Sequence, residues 1–368
     1  MQRDPDRLMR VLLDTTFALR GPSGTGVYIE RLAAALHAEG VDVLEVADER
    51  RPPPAGGGVG SARNAGHDAW WTQVALPRHA RAAGADVIHH PLPAHAGQAP
   101  CPQVVTLHDL AFERLPECFA PAFRRWASLT HRRAARAADA VVCVSQTTRR
   151  DAMARWGLDG ARIVVAPHGP GQALPGAGAG TGTAAPPAVP AHFLYIGDDE
   201  PRKNLGLLLA AHARYRAAVG AGALDLVLAG RASPPRQPGV RCDRGPDLQA
   251  LLRESASLVH PALHEGFGLT VLEAMHAGVP VIAARSPGIA ETCAEAALYV
   301  DPHDTAGLAH ALARVAADPA LRATLAAAGR ERAAAFSWRT SARAHIEAYT
   351  LSLSMHARAT PLSTGGAR

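Results

Sequence analysis

The stretch EGFGLTVLEAMHAGVPVIA at 265–283 carries the clearest folding signal in the sequence. A helix is predicted over 268–277, because its apolar positions are periodic and Gly278 and Pro280 supply the usual stop signals. A short β-branched strand is predicted directly after it, at 279–283. The stretch therefore indicates a helix that leads into a buried strand, which is the repeating unit of a parallel sheet.

The same alternation extends in both directions from this stretch. In the second half, strands are predicted at 193–196, 224–229 and 257–260, and helices at 203–218, 246–256, 304–316 and 319–335. In the first half, strands are predicted at 9–14, 42–47, 86–90, 103–108, 140–144 and 162–166, and helices at 26–38 and 121–137. We therefore predict an α/β protein with two Rossmann-like, doubly wound parallel-sheet domains that face a central cleft at the carboxyl ends of their strands.

The domain boundaries follow from composition. Residues 168–190 are rich in Gly and Pro and contain almost no large apolar side chain, so we predict a linker at 169–190 between domains at 1–168 and 191–336. A C-terminal helix at 337–354 is expected to pack back toward the N-terminal domain, with a disordered tail at 355–368. A mobile loop is expected at 51–66.

Composition excludes several classes of protein. With 368 residues, 48% of them hydrophobic and 19% charged, the chain can bury two cores and is neither disordered nor fibrous. Five dispersed cysteines without zinc-ligand spacing, a start without a signal peptide and the lack of a long uncharged apolar run favour a cytoplasmic protein. The net charge of +5 is carried by 37 Arg and a single Lys, Lys203. This bias is typical of GC-rich coding and does not indicate a nucleic-acid partner.

Residues 121–156 hold eight Arg, and the predicted helix at 121–137 also carries Phe123, Trp126 and Leu129. A solvated basic face is the favoured interpretation. The alternative is a weak association with the inner face of a membrane, where the helix would meet a lipid-linked acceptor.

The start of the 268–277 helix has the properties of a phosphate site. No Ser, Thr, Asp or Asn occupies the N-cap position, so backbone amides and the helix dipole are available to an anion. Glu265 lies before this helix and Glu273 lies inside it, with seven residues between them. The two carboxylates can therefore contact different parts of one extended ligand, with a phosphate group between them.

These residues also carry a family resemblance. EGFGLTVLEAMHAGVPVI resembles the E-x7-E signature of the retaining GT-B glycosyltransferases, the family that includes sucrose synthase and many mannosyltransferases (glycosyltransferase family 4). The similarity continues through SPGIAET at 286–292, YIGDDEPRKNLGLLL at 195–209, VVTLHDL at 104–110 and GPSGTGVYIERL at 21–32. It implies transfer of a sugar from a nucleoside-diphosphate sugar to an unknown hydroxyl acceptor, with retention of the anomeric configuration.

The resemblance assigns roles to matching positions. Glu273 would contact the ribose and Glu265 the transferred sugar, and backbone amides of Phe267, Gly268 and Leu269 would contact the sugar and the diphosphate. Arg202 and Lys203 would neutralise the diphosphate leaving group, a task that fixed cations perform where no metal is present. His108 would contact the sugar or the acceptor, and Gly24 and Gly26 would let the backbone approach the phosphates.

Several points stay open at this stage. Many family members place a basic residue where this chain has Asp198, so the clamp is expected to rest on Arg202 and Lys203. No cofactor and no metal are expected; His89 and His90 resemble a metal pair but lack a third ligand at a useful spacing. The YIGxxEPRKNL form favours a GDP-sugar slightly. The alternative functions are a sugar-nucleotide 2-epimerase and a non-catalytic sugar-nucleotide-binding subunit.

Overall fold

The computed structural model describes residues 7–20, 23–50, 58–171, 189–232, 234–245 and 247–359. Within these residues the chain forms two six-stranded sheets, and all strand pairs are parallel. It divides into two compact units. Unit 1 contains Met1–Leu110, Arg125–His168 and Trp338–Arg368, and unit 2 contains Ala111–Arg124 and Gly169–Ser337.

The first sheet has the strand order β2-β1-β3-β4-β5-β6. Its strands are Arg10–Asp14 (β1), Asp42–Val46 (β2), Val87–His90 (β3), Gln103–Leu107 (β4), Ala140–Cys143 (β5) and Ile163–Val165 (β6). The direction of winding reverses between β1 and β3, so the loops after these two strands leave the sheet at its switch point.

The second sheet has the order β12-β11-β10-β7-β8-β9, which is the dinucleotide-binding order of a Rossmann sheet. Its strands are His192–Ile196 (β7), Asp225–Ala229 (β8), Val240–Asp243 (β9), Ser255–His260 (β10), Val281–Ala284 (β11) and Leu298–Val300 (β12). Here the switch point lies between β7 and β10. Two parallel doubly wound sheets confirm the predicted fold class.

The helices cover these sheets. In the first half of the chain they are Gly24–Ala38 (α1), Gly58–Trp70 (α2), Leu76–Ala83 (α3), Ala111–Arg114 (α4), Pro121–Ala137 (α5) and Gln146–Trp156 (α6). In the second half they are Leu205–Val219 (α7), Leu248–Glu254 (α8), Leu269–His276 (α9), Pro287–Cys293 (α10), Thr305–Ala317 (α11), Pro319–Ala333 (α12) and Trp338–Ala359 (α13).

The last helix, α13, belongs to unit 1, where it packs against α1, β4, β5 and β6. Ala342, Ala348 and Tyr349 of α13 are fully buried in the core of this unit, beside side chains of α1 such as Leu32. The helix continues to Ala359. The prediction of a disordered tail from 355 is therefore wrong for 355–359, and 360–368 lie outside the described residues.

Other predictions differ from the structure in detail. The prediction of a loop at 51–66 is wrong for residues 58–66, which form the first part of α2. Residues 51–57 lie outside the described residues, and so do residues 172–188 of the expected linker. The first residues of α2 are mostly small, with several Gly and Ala, so the sequence shows no periodic pattern of large apolar side chains that would predict a helix. Among the described residues, no helix is both long enough and apolar enough to cross a membrane.

Candidate functional site in two parts

The predicted donor residues of unit 2 follow two strands that are neighbours at the switch point of the second sheet. Strand β7 ends at Ile196 and β10 ends at His260, and the two strands pair directly. The loop after β7 carries Arg202 and Lys203, and the loop after β10 carries Glu265. Parallel strands end at the same edge of a sheet, so this topology brings the three side chains together.

Three of the predicted residues form one charged cluster. The Lys203 ammonium donates a hydrogen bond to Glu265 Oε1 over 2.5 Å, and Arg202 Nη1 lies 3.2 Å from Glu265 Oε2. The side chains of Lys203, Arg202 and Glu265 are 16%, 18% and 12% exposed. Each cation therefore contacts a different oxygen of one carboxylate, and all three groups are largely shielded from water.

The ionisation of Glu265 follows from this arrangement. Burial alone would raise the pKa of this carboxyl, but Lys203, His260 and Arg202 together hold it well below its usual value. His260, whose Nε2 lies 3.6 Å from Glu265 Oε1, has its pKa lowered by burial and is neutral near pH 7. Glu265 is therefore a carboxylate, and it provides the negative charge opposite the two cations.

Asn204 fixes the turn that presents both cations, a role that the sequence did not reveal. Its backbone is left-handed, with φ of 56°, a conformation that Asn adopts more readily than most residues. Its side-chain amide donates to the carbonyls of Pro261 and Pro302, at 3.2 and 2.8 Å. The turn is also tied to the loop after β10, because Leu263 N donates to the Arg202 carbonyl.

The first turn of α9 is uncapped, as predicted. Gly268 occupies the N-cap with φ of 91° and makes no side-chain cap hydrogen bond to the helix start. The loop before it is held by α10, since Thr292 Oγ1 donates to the Phe267 carbonyl and the Gly288 backbone lies directly against the carbonyls of Glu265 and Gly266. The Phe267 ring also packs edge-on against Phe336. Three contacts, two from α10 and one from Phe336, therefore hold the loop that carries Glu265.

Glu273 lies on the second turn of α9, one turn after Leu269, which begins the helix. Both side chains are partly exposed and lie against Gly171, where a Cβ would overlap the Glu273 carboxylate and the Leu269 side chain. The close approach of this backbone covers one side of Glu273. The two glutamates of the signature thus occupy different environments, one paired with cations and the other on the helix face.

His108 belongs to unit 1, where it follows β4. Its Nε2–H donates to the Pro91 carbonyl over 2.9 Å, which leaves Nδ1 as the acceptor of a neutral imidazole. Burial lowers the pKa of His108, and the Tyr28 ring packs edge-on against it at 4.9 Å between centroids. The environment of His108 therefore favours a fixed, neutral ring with one lone pair to offer.

A chain of buried hydrogen bonds lies beside His108. His345 Nδ1 donates to the Ser341 carbonyl, so its Nε2 accepts from the Tyr28 hydroxyl, and Tyr28 in turn accepts from Thr106. The chain continues to His89, which donates to Thr106, and ends at the Tyr349 hydroxyl, which donates to His89. These hydrogen bonds are 2.7 to 2.9 Å long. The chain of hydrogen bonds joins α1, β3 and β4 to α13.

The remaining predicted positions have other surroundings. Gly24 begins α1, whose N-cap is Ser23, and the Ser23 hydroxyl already accepts from the Gly26 amide. Asp198 pairs with Arg231. His90 is buried and hydrogen-bonded to Gln103. Over the part of the chain that the structure describes, no three His, Cys, Asp or Glu side chains are placed to hold a metal ion.

The chain matches two family models in succession. The model described as Glycosyltransferase Family 4 matches residues 22–169, and the model described as Glycosyl transferases group 1 matches residues 190–318. The first match spans β2 to β6 of the first sheet, and the second match spans all six strands of the second sheet, so the boundary between the matches agrees with the division seen in the fold.

Individual proteins agree with these matches. O-antigen chain mannosyltransferase B from Escherichia coli is 28% identical in an alignment 273 residues long that covers 67% of this chain and 70% of that protein. The structure of sucrose-phosphate synthase from Thermosynechococcus elongatus has a TM-score of 0.71 at 21% identity, covering 93% of this chain and 98% of the other. Anabaena HepE in complex with UDP and glucose has a TM-score of 0.65 at 18% identity, covering 93% and 99%.

The two matched models, the relative and the shared fold place this chain among the GT-B glycosyltransferases similar to family 4. The chain is accordingly a glycosyltransferase that takes its sugar from a nucleotide-sugar donor.

Proposed function

We propose that this glycosyltransferase is a retaining hexosyltransferase that works without a divalent metal. The observation that carries the proposal is the pairing of Lys203 and Arg202 with Glu265 beside the uncapped start of α9. Two fixed cations and a helix N-terminus can stabilise the charge that develops on a departing diphosphate, which is otherwise the task of a metal ion.

Glu265 prepares these cations for the donor. Its carboxylate contacts both Lys203 and Arg202, so each of these largely buried cations has a counter-charge beside it. A diphosphate that binds at the start of α9 would replace this contact, and Glu265 would then be able to accept hydrogen bonds from hydroxyls of the transferred sugar. Glu273 would accept hydrogen bonds from the ribose, as the family resemblance implies.

The proposed reaction is a front-face displacement. The bond between the anomeric carbon and the diphosphate oxygen breaks, and its electron pair remains on the diphosphate, where Lys203 and Arg202 stabilise the new charge. The acceptor hydroxyl oxygen bonds to the anomeric carbon on the same face. Its proton passes to the departing phosphate oxygen, so no protein base is required and the configuration is retained.

The donor that we propose is a GDP-sugar, and the transfer is of the mannosyl type. The EPRKNL form of the cation loop and the similarity to a mannosyltransferase support this choice. UDP-sugars are the alternative to test, because HepE, which shares the fold, holds UDP.

A donor screen tests the proposal. Melting temperatures would be measured with GDP-, UDP-, ADP- and dTDP-sugars in excess EDTA, since a ligand at 100 times its Kd stabilises by about 2.7 kcal/mol. The donor that stabilises most would then be incubated with the enzyme in EDTA, and nucleoside diphosphate release would be measured. Release in EDTA supports the proposal, whereas activity that only Mg²⁺ or Mn²⁺ restores would contradict it.

The same incubation distinguishes the alternatives. An epimerase would convert the donor to its 2-epimer without an acceptor, and a non-catalytic subunit would bind the donor without hydrolysing it. Once an acceptor is found, NMR of the product's anomeric proton would show whether the configuration is retained.

We also propose that α5 brings the enzyme to an anionic membrane surface that carries the acceptor. Phe123, Trp126 and Leu129 of this helix are 44%, 51% and 73% exposed, and exposed Arg125, Arg132 and Arg133 lie on the same helix. Exposed aromatics next to arginines suit the interface of an anionic bilayer. Sedimentation with phosphatidylglycerol vesicles tests this, and Trp126→Ala together with Leu129→Ala should abolish binding; equal sedimentation of the variant would contradict it.

A further inference from the structure

A second ion pair lies at the carboxyl ends of β7 and β8. A glycine follows each strand, Gly197 after β7 and Gly230 after β8. The next residue is Asp198 in the first case and Arg231 in the second. The two glycines are in close contact, because a Cβ on Gly230 would lie 2.7 Å from the Gly197 carbonyl oxygen. Asp198 and Arg231 are therefore held side by side by the backbone.

The pair has the geometry of a bidentate clamp. Arg231 Nη2 lies 2.5 Å from Asp198 Oδ2, Arg231 Nε lies 3.2 and 3.3 Å from the two carboxylate oxygens, and the Arg231 backbone amide donates to Oδ1 over 3.2 Å. Arg231 lowers the pKa of Asp198 through these hydrogen bonds. The Arg231 side chain is nevertheless 82% exposed. An exposed pair of this kind contributes little to stability, so its main effect is to fix the direction of the guanidinium.

The pair belongs to the same charged region as Lys203. The Tyr195 hydroxyl donates to the Asp198 carbonyl over 2.9 Å, and burial together with Glu265 raises the pKa of Tyr195. Lys203 also contributes to lowering the pKa of Asp198. The acidic run at 198–200 would place net negative charge here, but Arg231 pairs with Asp198 and Arg202 pairs with Glu200.

We propose that Arg231 is a third cation for the donor diphosphate and that Asp198 is the residue that positions it. This inference rests on the proposed function, in which Arg202 and Lys203 bind the diphosphate. The Nε and Nη2 groups of Arg231 are committed to Asp198, and the exposed guanidinium retains Nη1 for a phosphate oxygen. The basic group that many relatives have directly after β7 is supplied here from the end of β8.

The test is calorimetric binding of UDP and GDP in EDTA. Arg231→Ala should weaken both by about tenfold, and by similar factors, because a phosphate contact does not distinguish the base. Arg216→Ala is the matched control. Arg216 pairs over 2.9 Å with Asp225, which lies at the opposite end of β8 from Arg231, and its substitution should leave both affinities unchanged.

A double variant tests the role of Asp198. In Arg231→Ala, the unpaired Asp198 carboxylate would repel the phosphates, so Asp198→Ala combined with Arg231→Ala should bind more tightly than Arg231→Ala alone. Asp198→Ala alone should weaken binding by about threefold, because Arg231 loses its orientation. Additive losses from the two substitutions would contradict the positioning role.

The outcomes separate this inference from the proposed function. If Lys203→Ala weakens binding but Arg231→Ala leaves both affinities unchanged, or lowers only one of them, Arg231 does not contact the phosphates and the further inference is wrong. If Lys203→Ala also left UDP and GDP binding unchanged, the proposed function itself would fail.

Discussion

Lys203 and Glu265 are 62 residues apart in the sequence, and the Lys203 ammonium donates a 2.5 Å hydrogen bond to the Glu265 carboxylate. The contact joins the loops after two strands that meet at the switch point of the second sheet. It pairs the only lysine of the chain with the first glutamate of the E-x7-E signature. A cation that is paired and largely buried is already oriented before the donor arrives.

Lys203→Arg should damage catalysis although it keeps the charge. Arg202 already contacts the other oxygen of Glu265, so a second planar guanidinium would crowd the carboxylate and the diphosphate. We expect Lys203→Ala to lose on the order of 10²–10³ in turnover and Lys203→Arg to recover only part of it. The measurement is steady-state release of nucleoside diphosphate, with Arg216→Lys as the control. Parental rates for Lys203→Arg would mean that any cation suffices at this position.

Glu273→Gln should weaken donor binding with little effect on turnover. A contact to the ribose is the same in the ground and transition states, so its loss raises KM and leaves kcat unchanged. The control is Glu295→Gln, at an exposed position beyond the end of α10. Should kcat fall at an unchanged KM, Glu273 would have to contact the reacting sugar instead of the ribose.

Gly288→Ala should disturb the loop that carries Glu265 without substituting a charged residue. A Cβ at this position would overlap the Glu265 carbonyl, so the loop before α9 or the start of α10 must move. We expect a loss of about 1–3 kcal/mol in stability, typical of overpacking, and weaker binding of the donor. Gly206→Ala, in the first turn of α7 with open space around it, is the control and should stay within about 1 kcal/mol of the parent. Equal melting temperatures for both variants would show that the close approach at Gly288 is not maintained in solution.

The protein should lose stability as the pH falls from 6.5 toward 4. Burial lowers the pKa of His345 to about 4, and that of His89 also falls well below 6.5. In this pH range the two histidines bind protons in the unfolded chain but not in the folded one. The free energy of unfolding therefore falls by up to about 1.4 kcal/mol per histidine for each pH unit. A protonated His345 could no longer accept from the Tyr28 hydroxyl.

Melting temperatures between pH 8 and pH 5 check this expectation. His345→Gln should be less stable at pH 8, because the hydrogen-bond chain is broken, but its stability should depend less steeply on pH below 6.5. His310→Gln, at an exposed position of α11, should keep the parental slope. An identical slope in His345→Gln would contradict a neutral, buried His345.

The sequence allowed the fold class to be predicted and Arg202, Lys203 and Glu265 to be selected as site residues, although it did not predict that they pair with one another. The apolar pattern of each strand can be seen within a few residues of sequence. The motifs at 202–203 and 265–273 follow two strands that are neighbours in a doubly wound sheet. The lone Lys203 stood out in a chain with 37 Arg. The uncapped start of α9 followed from a missing side chain, which is also local information.

Other features depended on tertiary contacts. The sequence showed Asp198 as a departure from the family pattern, but only the fold places Arg231 beside it, 33 residues later. Asn204 is one of only two asparagines in the sequence, but its two carbonyl partners lie 57 and 98 residues away, so no local pattern indicates its role. The hydrogen-bond chain from Tyr28 to His345 spans 317 residues, so no local pattern could reveal it.

The affinity for UDP and GDP in excess EDTA tests the central claim most directly, namely that Lys203 and Arg202 bind the donor diphosphate in exchange for Glu265. Calorimetry would compare the parent with Lys203→Ala and Glu265→Gln. The account predicts binding without a metal, at least tenfold weaker binding in Lys203→Ala, and binding in Glu265→Gln that is as tight as in the parent or tighter, because the competing carboxylate is gone. Binding that requires Mg²⁺, or equal affinities in the parent and Lys203→Ala, would contradict it.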